Sequence, residues 1–147
     1  MLSKINYSNV VFGQLPDYLL NRLQRIQNIA AGYVLNRYAK PEDVVNLHWL
    51  PIKENIDFNV CKLVHKALND EAWPSYLDIT KVPKSREMRS NDDGVKIAHG
   101  LPKTFQDQAK VFNLLPKCTR ELKEHKRFIK ESKSFFKNKA CNRVIGT

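Results

Sequence analysis

Apolar residues recur along much of the chain at steps of three and four positions, the spacing that places side chains on one face of an α-helix. The first such segment begins at Pro16 and ends before Pro41, because a proline disfavours helical geometry in the residue that precedes it. A short helix from Pro41 to about Leu47 follows, and Pro51 starts a longer amphipathic helix that reaches about Asn69. The apolar face predicted for the first helix consists of Leu19, Leu23, Ile26, Ala30, Tyr33 and Val34.

The helical spacing disappears between Thr80 and Lys103. Pro83, Pro102 and the string Asn91-Asp92-Asp93-Gly94 are typical of turns, and this string predicts a turn rather than a metal site. We therefore expect a loop or a small β-hairpin near residues 80–103.

Helical spacing resumes after this stretch. Thr104 is a candidate N-cap for a helix that Pro116 stops, and a last helix is predicted from about Thr119 to Lys139. Its narrow apolar stripe is flanked by lysines on both sides, which is typical of a helix that packs along one line and is solvated elsewhere. That stripe consists of Leu122, Phe128, Ile129, Phe135 and Phe136.

The predicted fold class is mainly α, an irregular helical bundle of about five helices. We expect a helical part over residues 1–79, an irregular linker or hairpin over 80–103, and a helical, strongly basic part over 104–147.

The charge of the chain is unevenly distributed. Its 147 residues include 25 lysines and arginines against 15 aspartates and glutamates, a net charge of +10. Residues 117–143 hold ten of the basic side chains and three of the acidic ones, so this segment alone carries +7. A basic, solvated helix attracts polyanions, most often nucleic acid, but the same pattern is found in lysine-rich helices that have no partner.

The sequence contains no arrangement of residues typical of a catalytic site. Its five glycines are isolated, which excludes a glycine-rich phosphate loop, and no Gly-x-Ser-x-Gly string occurs. Cys61 and His65 are four positions apart, but no second close pair of ligands accompanies them, so we expect no zinc site.

Cysteine usage and hydropathy predict where the protein resides. The three cysteines, Cys61, Cys118 and Cys141, are widely spaced and are expected to be free thiols in a reducing compartment. No apolar run approaches the ~20 residues of a membrane span, and the first residues lack the apolar core of a secretory signal. We therefore expect an intracellular protein, in the cytoplasm or nucleus, that does not bind a membrane.

Two strings stand out from this background: Leu-Gln-Arg-Ile-Gln-Asn at residues 23–28 and Leu-His-Trp-Leu-Pro-Ile at residues 47–52. Together with shorter strings in order as far as Phe128-Ile129-Lys130, they resemble the C-terminal region of reverse transcriptases from non-LTR retrotransposons of the LINE type, jockey-like elements in particular. The likeness covers about residues 12–137. The family commonly has arginine where this chain has Gly32, and usually tryptophan where it has Phe112.

The resemblance implies a place within a larger polymerase. In that family this region follows the fingers and palm, and the palm carries a metal-binding Tyr-x-Asp-Asp box that is absent from this sequence. The chain would correspond to thumb or post-thumb helices of an RNA-directed DNA polymerase, inactive alone and without a cofactor of its own. Mg²⁺ is expected only in the missing palm. The expected partners are an RNA or DNA template-primer and the missing fingers and palm core.

We therefore expect a non-catalytic segment that grips template or primer through contacts between basic side chains and phosphates. The alternative is a helical interaction module without nucleic-acid binding, which docks the apolar stripes of residues 19–34 and 122–136 on a polymerase core or on a second copy. The residues expected to contact phosphates are Arg22, Arg25, Arg86, Arg89, Lys123, Lys126, Arg127, Lys130, Lys133 and Lys137.

Overall fold

The computed structural model of the chain describes residues 15–69 and 103–145. Regular structure within these two ranges is helical, which confirms the mainly-α fold class. The loop or hairpin predicted near residues 80–103 lies outside the described residues, apart from Lys103, which begins a helix. The described helices are α1 (Asp17–Leu35), α2 (Pro41–Asn46), α3 (Ile52–Asn69), α4 (Lys103–Asn113), α5 (Lys117–Arg120) and α6 (His125–Ile145).

The described residues belong to two compact units. The first contains those up to Asn59 together with those from Lys133 onward, and the second contains those between Val60 and Ser132. The limits of the three parts that we predicted from the sequence stay a prediction.

The packed face of α1 differs from the predicted one. Gln27 and Ala31 are buried, whereas Tyr33 and Val34, assigned to the apolar face, are 85% and 60% exposed. At the C-terminal end of α1, burial therefore lies to one side of the predicted apolar face. The physical reason is that Gln27 Nε2 donates a hydrogen bond of 2.8 Å to the carbonyl oxygen of Leu50, so a satisfied amide occupies the interior and turns the apolar residues outward.

A polar network joins α1 to the beginning of α3. The Ile52 N–H donates to Gln24 Oε1 over 2.9 Å, and Gln24 Nε2 donates to Gln27 Oε1 over 2.9 Å. Ile52 is the first residue of α3, and Pro51 before it has no side-chain oxygen that could cap the helix. Gln24 therefore satisfies, from another helix, the first of the N–H groups at the start of α3 that have no partner within the helix.

The turn between α1 and α2 is held by an ion pair. The Arg37 guanidinium contacts both carboxylate oxygens of Asp43, at 2.6 and 3.0 Å. The backbone N–H of Lys40 donates to the same carboxylate over 2.8 Å. The hydrogen bond from Arg37, followed by the one from Lys40, holds the pKa of Asp43 below its ordinary value.

A Schellman motif ends α2. His48 has left-handed backbone geometry, with φ of 60°, and its N–H donates to the Val45 carbonyl oxygen over 2.9 Å. The Trp49 N–H donates to the Val44 carbonyl oxygen over 3.0 Å. Trp49 also packs on the cluster that contains Ala31 and Val44, which is the apolar contact that accompanies this motif.

Aromatic rings occupy the centre of the second unit. The rings of Phe128 and His65 stack with 3.9 Å between their centroids, and Phe112 lies 6.0 Å from Phe128. All three side chains are almost completely buried. His65 Nε2 donates to the carbonyl oxygen of Leu122 over 2.6 Å, so its buried ring is anchored at one nitrogen.

The last predicted helix is divided in the structure. We predicted one helix from Thr119 to Lys139, but α5 ends at Arg120, α6 begins at His125, and α6 extends to Ile145. At the break the Leu122 carbonyl oxygen accepts from His65, whereas in a continuous helix it would accept from the N–H four residues on.

Candidate nucleic-acid interface

One side of α6 is buried along its length. Phe128, Ser132, Phe136 and Ala140 follow one another at steps of four, and each has 0% of its surface exposed. The Ser132 hydroxyl donates to the Phe128 carbonyl oxygen over 2.6 Å, so this buried polar group is satisfied within the helix. The packing side is therefore determined by these four residues, and the opposite side of α6 faces solvent.

Four lysines lie beside the buried side rather than directly opposite it, centred roughly 110° around the helix from its middle, and we call them the α6 lysine stripe: Lys126, Lys130, Lys133 and Lys137. Their spacing of four, three and four positions keeps them within a sector of roughly 60°, since an α-helix has 3.6 residues per turn. They extend over about 16 Å of helix length. Lys126, Lys130 and Lys133 are exposed and form no ion pair with another described residue. The charge of these three is directed to solvent.

The fourth lysine of the stripe is held by a neighbour. Lys137 is half-buried, and its Nζ donates to Nδ1 of His48 over 2.9 Å. An ammonium group has three donors, so two remain after this contact. Lys137 is therefore the positioned member of the α6 lysine stripe, whereas the other three are free to adapt to a ligand.

The basic residues nearer the end of α6 are paired with carboxylates of α3. Arg143 binds Glu54 at 2.9 Å, and Lys139 lies 4.0 Å from Asp57. Burial raises the pKa of Asp57 above its ordinary value, and the nearby Lys139 opposes that shift. These two cations, which contributed to the basic count of the segment, lie beside carboxylates of α3 and remain about half exposed to solvent.

The remaining predicted phosphate contacts are distributed over several places. Lys123 is exposed between α5 and α6, and Arg127 is exposed to one side of the α6 lysine stripe. Arg22 and Arg25 are exposed on α1. The last two predicted phosphate contacts, Arg86 and Arg89, lie outside the described residues.

The exposed side of α1 combines these arginines with apolar side chains. Arg22, Arg25, Ile29 and Tyr33 follow one another at steps of three, four and four, which places them within a sector of roughly 80°. Ile29 is 60% exposed. We call these four residues the α1 outer face. Exposed large apolar residues in one line on a helix are typical of a contact surface.

A pocket of about 370 Å³ lies at the C-terminal end of this face, where α1 meets the turn that leads to α2. Tyr33, Tyr38, Asn28 and Asn36 are among its lining residues. Gly32 also lines it, and a Cβ atom at Gly32 would lie 3.0 Å from the Arg37 carbonyl oxygen. The turn therefore passes close against a residue without a side chain, and the arginine common at this position in the resembled family would not fit here without a shift of the turn.

Two histidines in the second unit form a contact that our reading of the sequence missed. Nδ1 of His65 lies 3.1 Å from Nδ1 of His125. In the neutral form of His65, donation from Nε2 to Leu122 leaves Nδ1 as the acceptor and His125 as the donor. The sequence spacing drew attention to Cys61 instead, whose Sγ lies 3.8 Å from the Val111 carbonyl oxygen. Nowhere in residues 15–69 and 103–145 do three metal-binding side chains come together.

Within the described ranges, none of the helices is both long enough and apolar enough to cross a bilayer. Comparison of the chain with protein-family models, with curated proteins and with solved structures finds no match in any of the three.

Proposed function

We propose that this chain is a non-catalytic C-terminal segment of a retrotransposon reverse transcriptase, and that it holds the sugar–phosphate backbone of template or primer on the α6 lysine stripe. The observation that carries the proposal is that the cations of α6 fall into two groups, those without a carboxylate partner among the described residues and those beside one. Lys126, Lys130 and Lys133 face solvent without an ion pair to a described residue, whereas Arg143 binds Glu54 and Lys139 lies 4.0 Å from Asp57. The resemblance of the two strings at residues 23–28 and 47–52 supports the class of parent protein.

Lysines without carboxylate partners are suited to phosphate binding. Each lysine that neutralises a phosphate releases condensed counterions, and this gain depends on salt but carries no sequence information. A row of flexible ammonium groups along about 16 Å of helix can follow several successive phosphates of one strand. In this proposal Mg²⁺ and the catalytic aspartates belong to the missing palm, and the fingers and palm core are the protein partners.

The test is the salt dependence of binding. The variant Lys126→Gln/Lys130→Gln/Lys133→Gln removes the three freely exposed members of the stripe. Binding of the full chain to a fluorescent single-stranded RNA is measured by anisotropy between about 50 and 200 mM salt. We expect the slope of log K against log salt to fall by about two units, at ~0.7 for each lost contact to a single strand.

The matched control is Lys53→Gln/Lys66→Gln/Lys117→Gln, which removes the same charge from exposed positions on other helices. The control is expected to keep most of the wild-type slope. Equal losses in both variants would mean that net charge alone drives binding, and flat binding of the wild-type chain across this salt range would contradict the proposal.

A second candidate function is the interaction module without nucleic-acid binding. Of the two apolar stripes proposed as its docking surfaces, the one over residues 19–34 is better supported. Phe128 and Phe136 of the stripe over residues 122–136 are fully buried within the chain, which argues against that stripe as the docking surface. The exposure of Ile29, Tyr33 and Val34 on α1 favours the other stripe. Sedimentation velocity separates the two candidates, because a dimer that ignores RNA and dissociates in Ile29→Ser would support the interaction module.

A further inference from the structure

The α1 outer face differs from the α6 lysine stripe because it combines cations with exposed rings. Arg22 and Arg25 precede Tyr33 on the same side of α1, and Arg25 lies about 12 Å before it along the helix axis. Tyr33 is 85% exposed and Tyr38, in the following turn, is 93% exposed. Single-stranded nucleic-acid sites combine these two elements, a basic track for the backbone and aromatic faces for the bases.

The pocket at the end of this face has a mostly apolar lining with a few polar groups and no uncompensated charge. Asn28 and Asn36 supply amide groups, which can donate and accept hydrogen bonds. Arg37 also lines the pocket, but Asp43 binds its guanidinium at 2.6 and 3.0 Å and neutralises it. A balanced lining of tyrosines and amides matches an uncharged planar group with hydrogen-bonding edges better than it matches a phosphate.

The shape of the pocket depends on the same turn. Gly32 has no side chain, and a Cβ there would be 3.0 Å from the Arg37 carbonyl oxygen, so the turn lies directly against α1 at this point. Arg37 and Asp43 fix the turn from its other end. Tyr38 is therefore carried by a braced turn rather than by a free loop, which reduces the entropy lost when a ligand stacks on it.

We propose that this pocket binds an unpaired nucleobase of a single-stranded nucleic acid, with stacking on Tyr33 and Tyr38, while Arg22 and Arg25 bind phosphates of the same strand. This inference rests on the proposed function, since it assumes that the chain binds nucleic acid, and it adds that the chain distinguishes single strands with bases from a bare phosphate backbone.

The experiment compares oligomers that differ only in their bases. Binding of the full chain is measured with a single-stranded oligothymidylate, a single-stranded oligouridylate and an abasic phosphodiester oligomer of the same length. We expect the wild-type chain to bind the two base-bearing oligomers about 5- to 100-fold more tightly than the abasic one. The variant Tyr33→Ala/Tyr38→Ala is expected to lose this preference, and Tyr33→Phe/Tyr38→Phe is expected to keep it because the aromatic faces remain.

The outcomes separate this inference from the proposed function. Lys126→Gln/Lys130→Gln/Lys133→Gln should weaken binding to all three oligomers and leave the preference for bases intact. Equal wild-type binding to base-bearing and abasic oligomers, or an unchanged preference after loss of both tyrosines, would overturn the inference and leave the proposed function standing. Absence of salt-dependent binding to every oligomer would overturn both. A dimer that requires the tyrosines, combined with no preference for bases, would identify a second copy as the occupant and overturn the inference.

Discussion

Arg143 binds the buried carboxylate of Glu54 through both guanidinium nitrogens, with Nη1–Oε1 and Nη2–Oε2 distances of 2.9 and 3.1 Å. The two residues are 89 positions apart, and the Glu54 side chain is only 3% exposed. Moving a charge out of water costs free energy unless a partner compensates it. The ion pair links α3 to α6, and loss of either residue leaves the other charge without this partner, which destabilises the fold.

We expect Arg143→Gln to lower the free energy of unfolding by about 2 kcal/mol, less than for a fully buried pair because the arginine is half-exposed. Urea denaturation measures the change. Arg127→Gln, at an exposed position of the same helix, serves as the control and should change stability by less than about 0.5 kcal/mol. Equal effects of the two variants would show that the pair contributes nothing beyond charge.

Asp43 is expected to make stability sensitive to acid. Its pKa is lowered by the hydrogen bond from Arg37, so the ionised form stabilises the fold. This contribution is fully present above the ordinary value of 3.8 and is lost as the pH falls through the lowered pKa of the folded state. Thermal unfolding should therefore show Asp43→Asn less stable than the wild type at neutral pH, with the difference disappearing in strong acid. A constant difference at every pH would contradict this account.

Asp57 should behave in the opposite way. Burial raises its pKa, so the ionised carboxylate opposes folding at neutral pH in spite of Lys139 at 4.0 Å. Below the ordinary value of 3.8 the group is protonated in both states and the penalty disappears. We expect Asp57→Asn to be more stable than the wild type at neutral pH and to lose that advantage as the pH falls. Measured over the same pH series, a loss of stability at neutral pH would instead mean that the attraction to Lys139 outweighs burial.

His48 occupies a backbone conformation that favours glycine, with φ of 60°. His48→Gly and His48→Ala both remove the acceptor of the Lys137 hydrogen bond, but only glycine adopts left-handed geometry without steric cost. We expect the glycine variant to be about 1 kcal/mol more stable than the alanine variant in chemical denaturation. Equal stabilities would mean that the Schellman motif relaxes when the imidazole is removed.

Most helices could be predicted because their signals are local. Pro16 directly precedes α1, Pro41 begins α2 and Pro51 directly precedes α3, since a proline restricts only its own backbone and that of its neighbour. The break before α6 was not predictable in this way. At the break the Leu122 carbonyl oxygen accepts a hydrogen bond from His65, 57 positions away, and the spacing of apolar residues does not predict that bond.

The candidate interface was predicted only in outline. Charge counting selected Lys126 and Lys130, which are exposed. It also counted Arg143, which binds Glu54, and Lys139, which lies 4.0 Å from Asp57. The pocket at the end of α1 was not predicted, because the pattern assigned Tyr33 to the apolar face of the helix.

The sequence by itself determined that the chain is mainly helical and strongly basic near its end, because helix spacing, proline geometry and net charge depend on neighbouring residues or on simple counts. The tertiary structure decided which cations remain available and which rings face solvent. Gln27 could take an interior position on α1 only because the Leu50 carbonyl oxygen was there to accept its hydrogen bond, and that arrangement turned Tyr33 outward. Whether a side chain is buried or exposed depends on contacts between residues far apart in the sequence. These contacts form only on folding, so no local pattern predicts them.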